Sequence, residues 1–320
     1  MEHEPRQPAA LTRQPKTTAR KDRDMTQPTV GFIGVGVMGE PICRHIATKS
    51  GAPVIASDPN TEPLKRLAAH GVRAVGMDEL TAQADIVFLS LPSGEVMKQV
   101  VMAPGGLAER LSRGKTIVDL STSSVDVTLE VARHLEEKGI HFADAPVMRT
   151  RAAAEAGTLA VPVGGSREVF ERIEPFIRAF ASDVTHAGNV SAGQVVKILN
   201  NMVLYETVLA LSEAAAIGRR AGVQPDVLFQ AFSTGSADSF ALRNHGMKAI
   251  APQLFPEKAF PVSYARKDIS YAVALGEQVN VDPTGARNLL DTLQKAIDAG
   301  HGDKYAPAIS LLFESSPLPT

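Results

Sequence analysis

The hydrophobic positions of this chain fall into two regimes. Up to about Val163, short apolar runs alternate with helix-length segments. Val30-Gly31-Phe32-Ile33 is one such run, ending in glycines, and residues 53–58, 85–90 and 115–119 repeat the type. Residues 141–144 and 160–163 are shorter versions. Residues 38–50 and 62–70 read as helices between strands, which predicts βαβ units on a mostly parallel sheet. After Gly188 the pattern changes. Residues 191–221 read as one helix, with Val195, Ile198, Leu199, Met202 and Leu209 recurring at helical intervals and Gly222 supplying the stop. Pro225–Phe232 and residues 267–278, 284–299 and 306–313 also read as helices, with no convincing strand among them. The expected fold is α/β, a doubly wound sheet over residues 28–190 followed by an all-α domain over 191–320.

Residues 1–27 fit neither regime. They are polar and proline-containing, without periodicity, and predict a disordered tail. Their arginines resemble a transit peptide, but Glu2, Glu4, Asp22 and Asp24 argue against one. Composition narrows the picture further. A length of 320 residues suits two domains, and a net charge of -2 offers no basic footprint for nucleic acid or an anionic membrane. The single cysteine, Cys43, rules out an intrachain disulfide and fits a reducing, cytoplasmic setting. No uninterrupted apolar run approaches the roughly 20 residues of a membrane span. The eight histidines show no metal-ligand spacing.

The first candidate chemistry lies in Gly34-Val35-Gly36-Val37-Met38-Gly39. Gly34 permits a sharp turn out of the strand, Gly36 lets backbone approach a pyrophosphate, and Gly39 lets the next helix pack closely. The N–H groups at that helix start face the phosphates. Alone the glycine pattern is unspecific. Following a strand, opening a helix and preceding a second strand that ends in an acid, it predicts a dinucleotide site. That acid is Asp58, placed to accept from ribose hydroxyls and to repel a 2′-phosphate, with Pro59 and Asn60 rather than arginine following. NAD is therefore expected over NADP. Leu91-Pro92-Ser93 and Ser121-Thr122-Ser123 follow later strands, where such sheets bind ligands, although serine and threonine there also serve as helix caps.

The second candidate is Lys197 on the long helix, with Asn200 and Asn201 one turn on. A lysine on an apolar helix is often a surface residue. Asparagines inside a helix are less expected, and two amides beside a lysine could hold a substrate oxygen. Burial or a nearby cation would bring the lysine into acid–base range. Lys267-Asp268 is either a surface pair or a second positive group over the site.

From Thr29 to about Phe313 these motifs resemble the β-hydroxyacid dehydrogenases, a family that includes 3-hydroxyisobutyrate dehydrogenase. The resemblance rests on the glycine turn, Leu91-Pro92, Asp119-Leu120-Ser121-Thr122, Asp144-Ala145-Pro146-Val147 and Ala156-Gly157-Thr158-Leu159. It continues through Gly193-Gln194-Val195-Val196-Lys197-Ile198-Leu199-Asn200-Asn201 and Lys267-Asp268. It implies a Rossmann-type domain, Lys197 as the proton-transferring residue, Asn201 on the substrate, and Thr122 and Lys267 near the cofactor. It also implies a homodimer or homotetramer. One departure stands out. Where the family usually has Ser-Gly-Gly, this chain has Met148-Arg149-Thr150. Arg149 and Thr150 match the Gly-Arg-Thr of sulfolactaldehyde reductases, and an arginine suits a carboxylate, phosphonate or sulfonate. The expected substrate is a short anionic semialdehyde or 3-hydroxy acid, with Met148, Arg149, Thr150 and Asn201 around it; the other reading of Arg149 is a side chain turned to solvent. Two further readings are an imine or ketone reductase, disfavoured by Lys197, and a non-catalytic dinucleotide sensor.

Overall fold

A computed structural model of the chain describes residues 27–257 and 259–314. Apart from Gln27, the tail expected to be disordered lies outside the described residues.

The strands are β1 (Val30–Ile33), β2 (Val54–Ser57), β3 (Arg73–Ala74), β4 (Ile86–Leu89), β5 (Thr116–Asp119), β6 (His141–Asp144), β7 (Leu159–Gly164) and β8 (Ala181–Gly188). They form one sheet in the order β3-β2-β1-β4-β5-β6-β7-β8. The helices of this half are α1 (Gly39–Lys49), α2 (Thr61–Ala68), α3 (Met77–Gln83), α4 (Gly94–Met102), α5 (Leu107–Arg110), α6 (Val125–Glu137), α7 (Arg151–Ala156) and α8 (Arg167–Ile177). The strand order reverses between β1 and β4, and their carboxyl ends open a crevice of the kind where doubly wound sheets take ligands. β1 and β4 are buried throughout, as central parallel strands covered on both faces must be. Separate apolar layers on the two faces contain Phe32, Phe88 and Val118 in one and Ile33, Leu89 and Ile117 in the other, consistent with side-chain alternation along each strand.

The sheet departs from the expected pattern at its far edge. β7 runs antiparallel to β6, and β8 is an eighth strand that the apolar runs do not announce. Its sequence is ASDVTHAG, with Ser182, Asp183 and Thr185 exposed, as a strand at the open edge of a sheet permits. β3, at the other edge, is only two residues long and exposed.

The second half is helical, with α9 (Ala192–Arg220), α10 (Pro225–Phe232), α11 (Val262–Gln278), α12 (Thr284–Ala296) and α13 (Leu311–Glu314). A π-helical stretch, Leu242–Ile250, follows α10, and the predicted last helix begins as a 3-10 segment, Ala306–Ser310. α9 runs the length of this domain. Its buried Tyr205, Val208, Leu209, Leu211 and Ala215 join Ile269 of α11 and Leu289 of α12 in one apolar core. By length and composition α9 also reaches the limits of a membrane span, although no unbroken apolar run in the sequence does. Lysine, glutamate and asparagine interrupt it, and its apolar residues supply this core.

Candidate active site

β1 delivers the chain to Gly34, whose φ of +90° only glycine adopts freely. A Cβ on Gly39 would run into the Gly34 carbonyl, whereas one on Gly36 would meet nothing within 4 Å. The turn is thus closed on its protein side and open on its outer side. α1 has no side-chain cap at Met38; in its first turn the Glu40 N–H donates to the Gly36 carbonyl and the Ile42 N–H to the Met38 carbonyl, while Pro41 has no N–H. Val35 is buried and Val37 is 61% exposed beside the opening. These features fit a dinucleotide pyrophosphate. Asp58, just past β2, accepts from the Val35 N–H and the Asn60 N–H, both at 2.7 Å. It therefore shapes the turn itself and keeps two of a carboxylate's roughly four acceptor positions for a ligand.

Across the crevice, Leu91 donates its N–H to Ser121 Oγ, Pro92 is exposed, and Ser93 caps α4 by accepting from Val96 N–H. Thr122 is half-buried between the fully enclosed Ser121 and Ser123.

Lys197 is half-buried in the second turn of α9. Desolvation holds its ammonium below the ordinary lysine value; Asp268 opposes that and Lys267 adds to it. Among the described residues, no hydrogen bond or ion pair within 4 Å ties its amine down. Asp268, on α11, is 2% exposed. Its Oδ2 accepts from Asn201 Nδ2 at 2.7 Å, and its Oδ1 lies 3.1 Å from Lys267 Nζ. Lys267 also sits over the Tyr271 ring at 5.2 Å. Four-residue spacing places Lys197, Asn201 and Tyr205 along one face of α9, and burial beside Asp268 raises Tyr205 well above the ordinary tyrosine value. The structure thus assembles Lys197, Asn201, Lys267 and Asp268. Asn201 is engaged with Asp268 rather than standing free, and it also accepts from Asn200.

The Met148-Arg149-Thr150 segment looks different from its sequence-based reading. Met148 forms an antiparallel bridge with Ala160 at the start of β7. Thr150 caps α7 through the Ala153 N–H. Arg149 has a φ of +82°, unusual for a residue with a side chain. Its guanidinium donates to the Thr158 carbonyl, Ser182 Oγ and Asp183 Oδ2 at 2.6, 2.8 and 2.8 Å. All three partners lie along the β7–β8 edge, so the arginine is tied to the sheet rather than free in solvent. Two of the three acceptors, Ser182 and Asp183, sit on β8, the strand with no sequence signal.

Sequence reasoning also passed over roles for Asp268, Tyr205, Gln194 and Asp144. Asp268 follows Lys267 on α11, and Tyr205 continues the four-residue spacing from Lys197; both signals are readable once α11 is known to face α9.

Comparison with known proteins places this geometry. Residues 29–188 match the profile of the NAD binding domain of 6-phosphogluconate dehydrogenase. Residues 191–311 match that described as the NAD-binding domain of NADP-dependent 3-hydroxyisobutyrate dehydrogenase. The chain is 35% identical over 253 residues to 2-(hydroxymethyl)glutarate dehydrogenase of Eubacterium barkeri, covering 79% of this chain and 83% of that protein. It is 32% identical over 246 residues to 2-hydroxy-3-oxopropionate reductase of Escherichia coli K12, covering 76% and 82%. Among solved structures, the Mycobacterium tuberculosis 3-hydroxyisobutyrate dehydrogenase with L-serine superposes with a TM-score of 0.81 at 26% identity, covering 90% of this chain and all of that one. Two consecutive profile matches, relatives sharing about a third of their residues and a Rossmann sheet followed by helices agree: the chain belongs to the β-hydroxyacid dehydrogenase family of NAD(P)-dependent oxidoreductases.

Proposed function

We propose that the protein catalyses reversible hydride transfer between NAD(H) and a short 3-hydroxy acid or the matching anionic semialdehyde. The observation that carries this reading is Lys197: an amine with no fixed partner, depressed by burial and placed where α9 leaves the carboxyl ends of the strands. When bound, the nicotinamide gives or accepts the hydride. Lys197 donates a proton to the carbonyl oxygen during reduction and removes it during oxidation. Asn201 and Lys267 hold Asp268 beside it, so the amine keeps a compensating charge in a partly dehydrated cleft. The family members cited above are named for small hydroxy or oxo acids, which supports an anionic substrate. The negative charge of Asp58 favours NAD over NADP.

The test is an NADH-oxidation panel of succinic, methylmalonate and tartronate semialdehydes and sulfolactaldehyde. At least one should turn over, with a KM for NADH about tenfold or more below that for NADPH, a difference of about 1.4 kcal/mol. NADH binding without turnover of any small acid would point instead to a dinucleotide sensor.

Arg149 enters this reading as an exchangeable anion site. Its pair with Asp183 is exposed, with side chains 41% and 60% accessible, and such pairs contribute at most about 1 kcal/mol. A substrate carboxylate or sulfonate could therefore replace Asp183. Arg149→Ala should raise KM for the anionic substrate while kcat is retained, the mark of lost uniform binding. An unchanged KM in steady-state assays would leave Arg149 with only the sheet-edge role.

A further inference from the structure

A buried hydrogen-bond frame joins three strand ends to the start of α9. Gln194 is fully buried. Its Nε2 donates to the Ser121 carbonyl at 2.8 Å, and its Oε1 accepts from the Ser123 N–H at 3.1 Å. Its backbone N–H donates to Asp144 Oδ2 at 2.8 Å, while Asp144 Oδ1 accepts from the Ser191 N–H at 2.7 Å. Ser191 offers no side-chain cap, so Asp144, from β6, caps α9. Asp119 accepts from the Ser121 N–H and from Ser123 Oγ at 3.0 and 3.2 Å, and Ser121 Oγ accepts from Leu91 N–H at 2.9 Å. The loops after β4, β5 and β6 thus converge on the first turn of α9. A Cβ on Gly193 would lie 2.7 Å from the Asp144 and Pro162 carbonyl oxygens, so the helix starts as close to the sheet as backbone allows.

A side-chain amide suits this place because it satisfies one carbonyl and one N–H two residues apart on the same loop. Methionine fills the volume with neither bond, and an ionised glutamate presents an acceptor to an acceptor. Lys197 is three residues beyond, within one helical turn.

We propose that Gln194 is a positioning residue, holding the Ser121–Ser123 loop in register with Lys197 and so setting the distance between the cofactor's reactive face and the proton donor. The inference rests on the dehydrogenase reading above. Misplacement of reacting groups by about 1 Å costs about 100-fold in rate. Gln194→Met should therefore lower kcat by about that factor, with NADH affinity within about threefold of wild type and a larger primary isotope effect from 4-deuterated NADH. Gln194→Glu should be similarly slow when its carboxyl is ionised. It should recover relative to wild type as the pH falls, because the protonated carboxyl again donates to Ser121. A purely structural role would lower Tm and leave kcat per folded molecule within about twofold of wild type, which would overturn the proposal. If the methionine variant does not fold, the glutamate variant decides, and a pH-independent ratio to wild type overturns the proposal. If wild type reduces no aldehyde, the dehydrogenase reading fails first. The positioning role is then read from the fluorescence of bound NADH, where a spectrum shifted in the variants supports it and one identical to wild type refutes it.

Discussion

Replacing Lys197 with alanine should reduce kcat by about 10²–10⁴-fold, the usual contribution of a positioned acid–base group, while NADH still binds. The amine belongs to neither the glycine turn nor the sheet core, so its loss removes proton transfer without dismantling the dinucleotide site. Single-turnover kinetics and a fluorescence titration with NADH separate the two effects. Near-wild-type turnover would end the acid–base role. The wild-type pH profile carries the same assignment. Burial places the Lys197 pKa below the ordinary 10.5, so carbonyl reduction, which needs the ammonium, should fall as pH rises through that lowered value. Alcohol oxidation, which needs the free amine, should rise through the same window. The two limbs should report one group, once both are measured under chemistry-limited conditions.

Removing the charge of Asp268 should shift those limbs together toward acid. In Asp268→Asn the new amide oxygen can still accept from Asn201, so helix contact is largely preserved while Lys197 loses the carboxylate that raises its proton affinity. An adjacent opposite charge is worth about 1–3 pKa units. The Lys197 limb should move down by about one unit or more, and reduction at neutral pH should slow while oxidation is spared. A kcat–pH profile superimposable on wild type would show that Asp268 serves only to join α9 to α11. Freeing Lys267 also pushes Lys197 down, so the direction of the shift does not separate the two causes; repeating Asp268→Asn in a Lys267→Met background isolates the carboxylate's own effect.

How much of this was legible depended on where each signal sits. β1 and β4 are continuous apolar runs because both faces are covered, and the glycine turn is legible because Gly34 and Gly39 answer steric demands of the backbone. The edges were not. β8 alternates with polar residues, and β3 is too short for a period to register. The π-helical stretch Leu242–Ile250 is not among the helices the pattern predicts, because the polar run Arg243-Asn244-His245 and Gly246 interrupt its apolar period. Within the site, Lys197 and Asn201 announce themselves through spacing on one element. Asp268 and the partners of Arg149 lie on other elements, and only the fold brings them near. A guanidinium's ligand is a tertiary fact; the residue type alone could suggest a substrate anion but could not reveal Asp183 already in that position.

The course of α9 has a mechanical consequence. Its 29 residues span about 43 Å as a continuous rod. At one end it is bolted to the nucleotide-binding sheet through Asp144 and Gln194; at the other, Arg219 pairs with Glu314 and Arg220 donates to the Phe313 carbonyl. The two halves of the chain are therefore not bodies swinging on a flexible tether. They share an axle, and Lys197 rides at its sheet end. A load applied near the last helix would reach Lys197 as tilt or twist along that axle, so on the proposed mechanism substitutions far from the crevice should alter the reaction without touching cofactor or substrate.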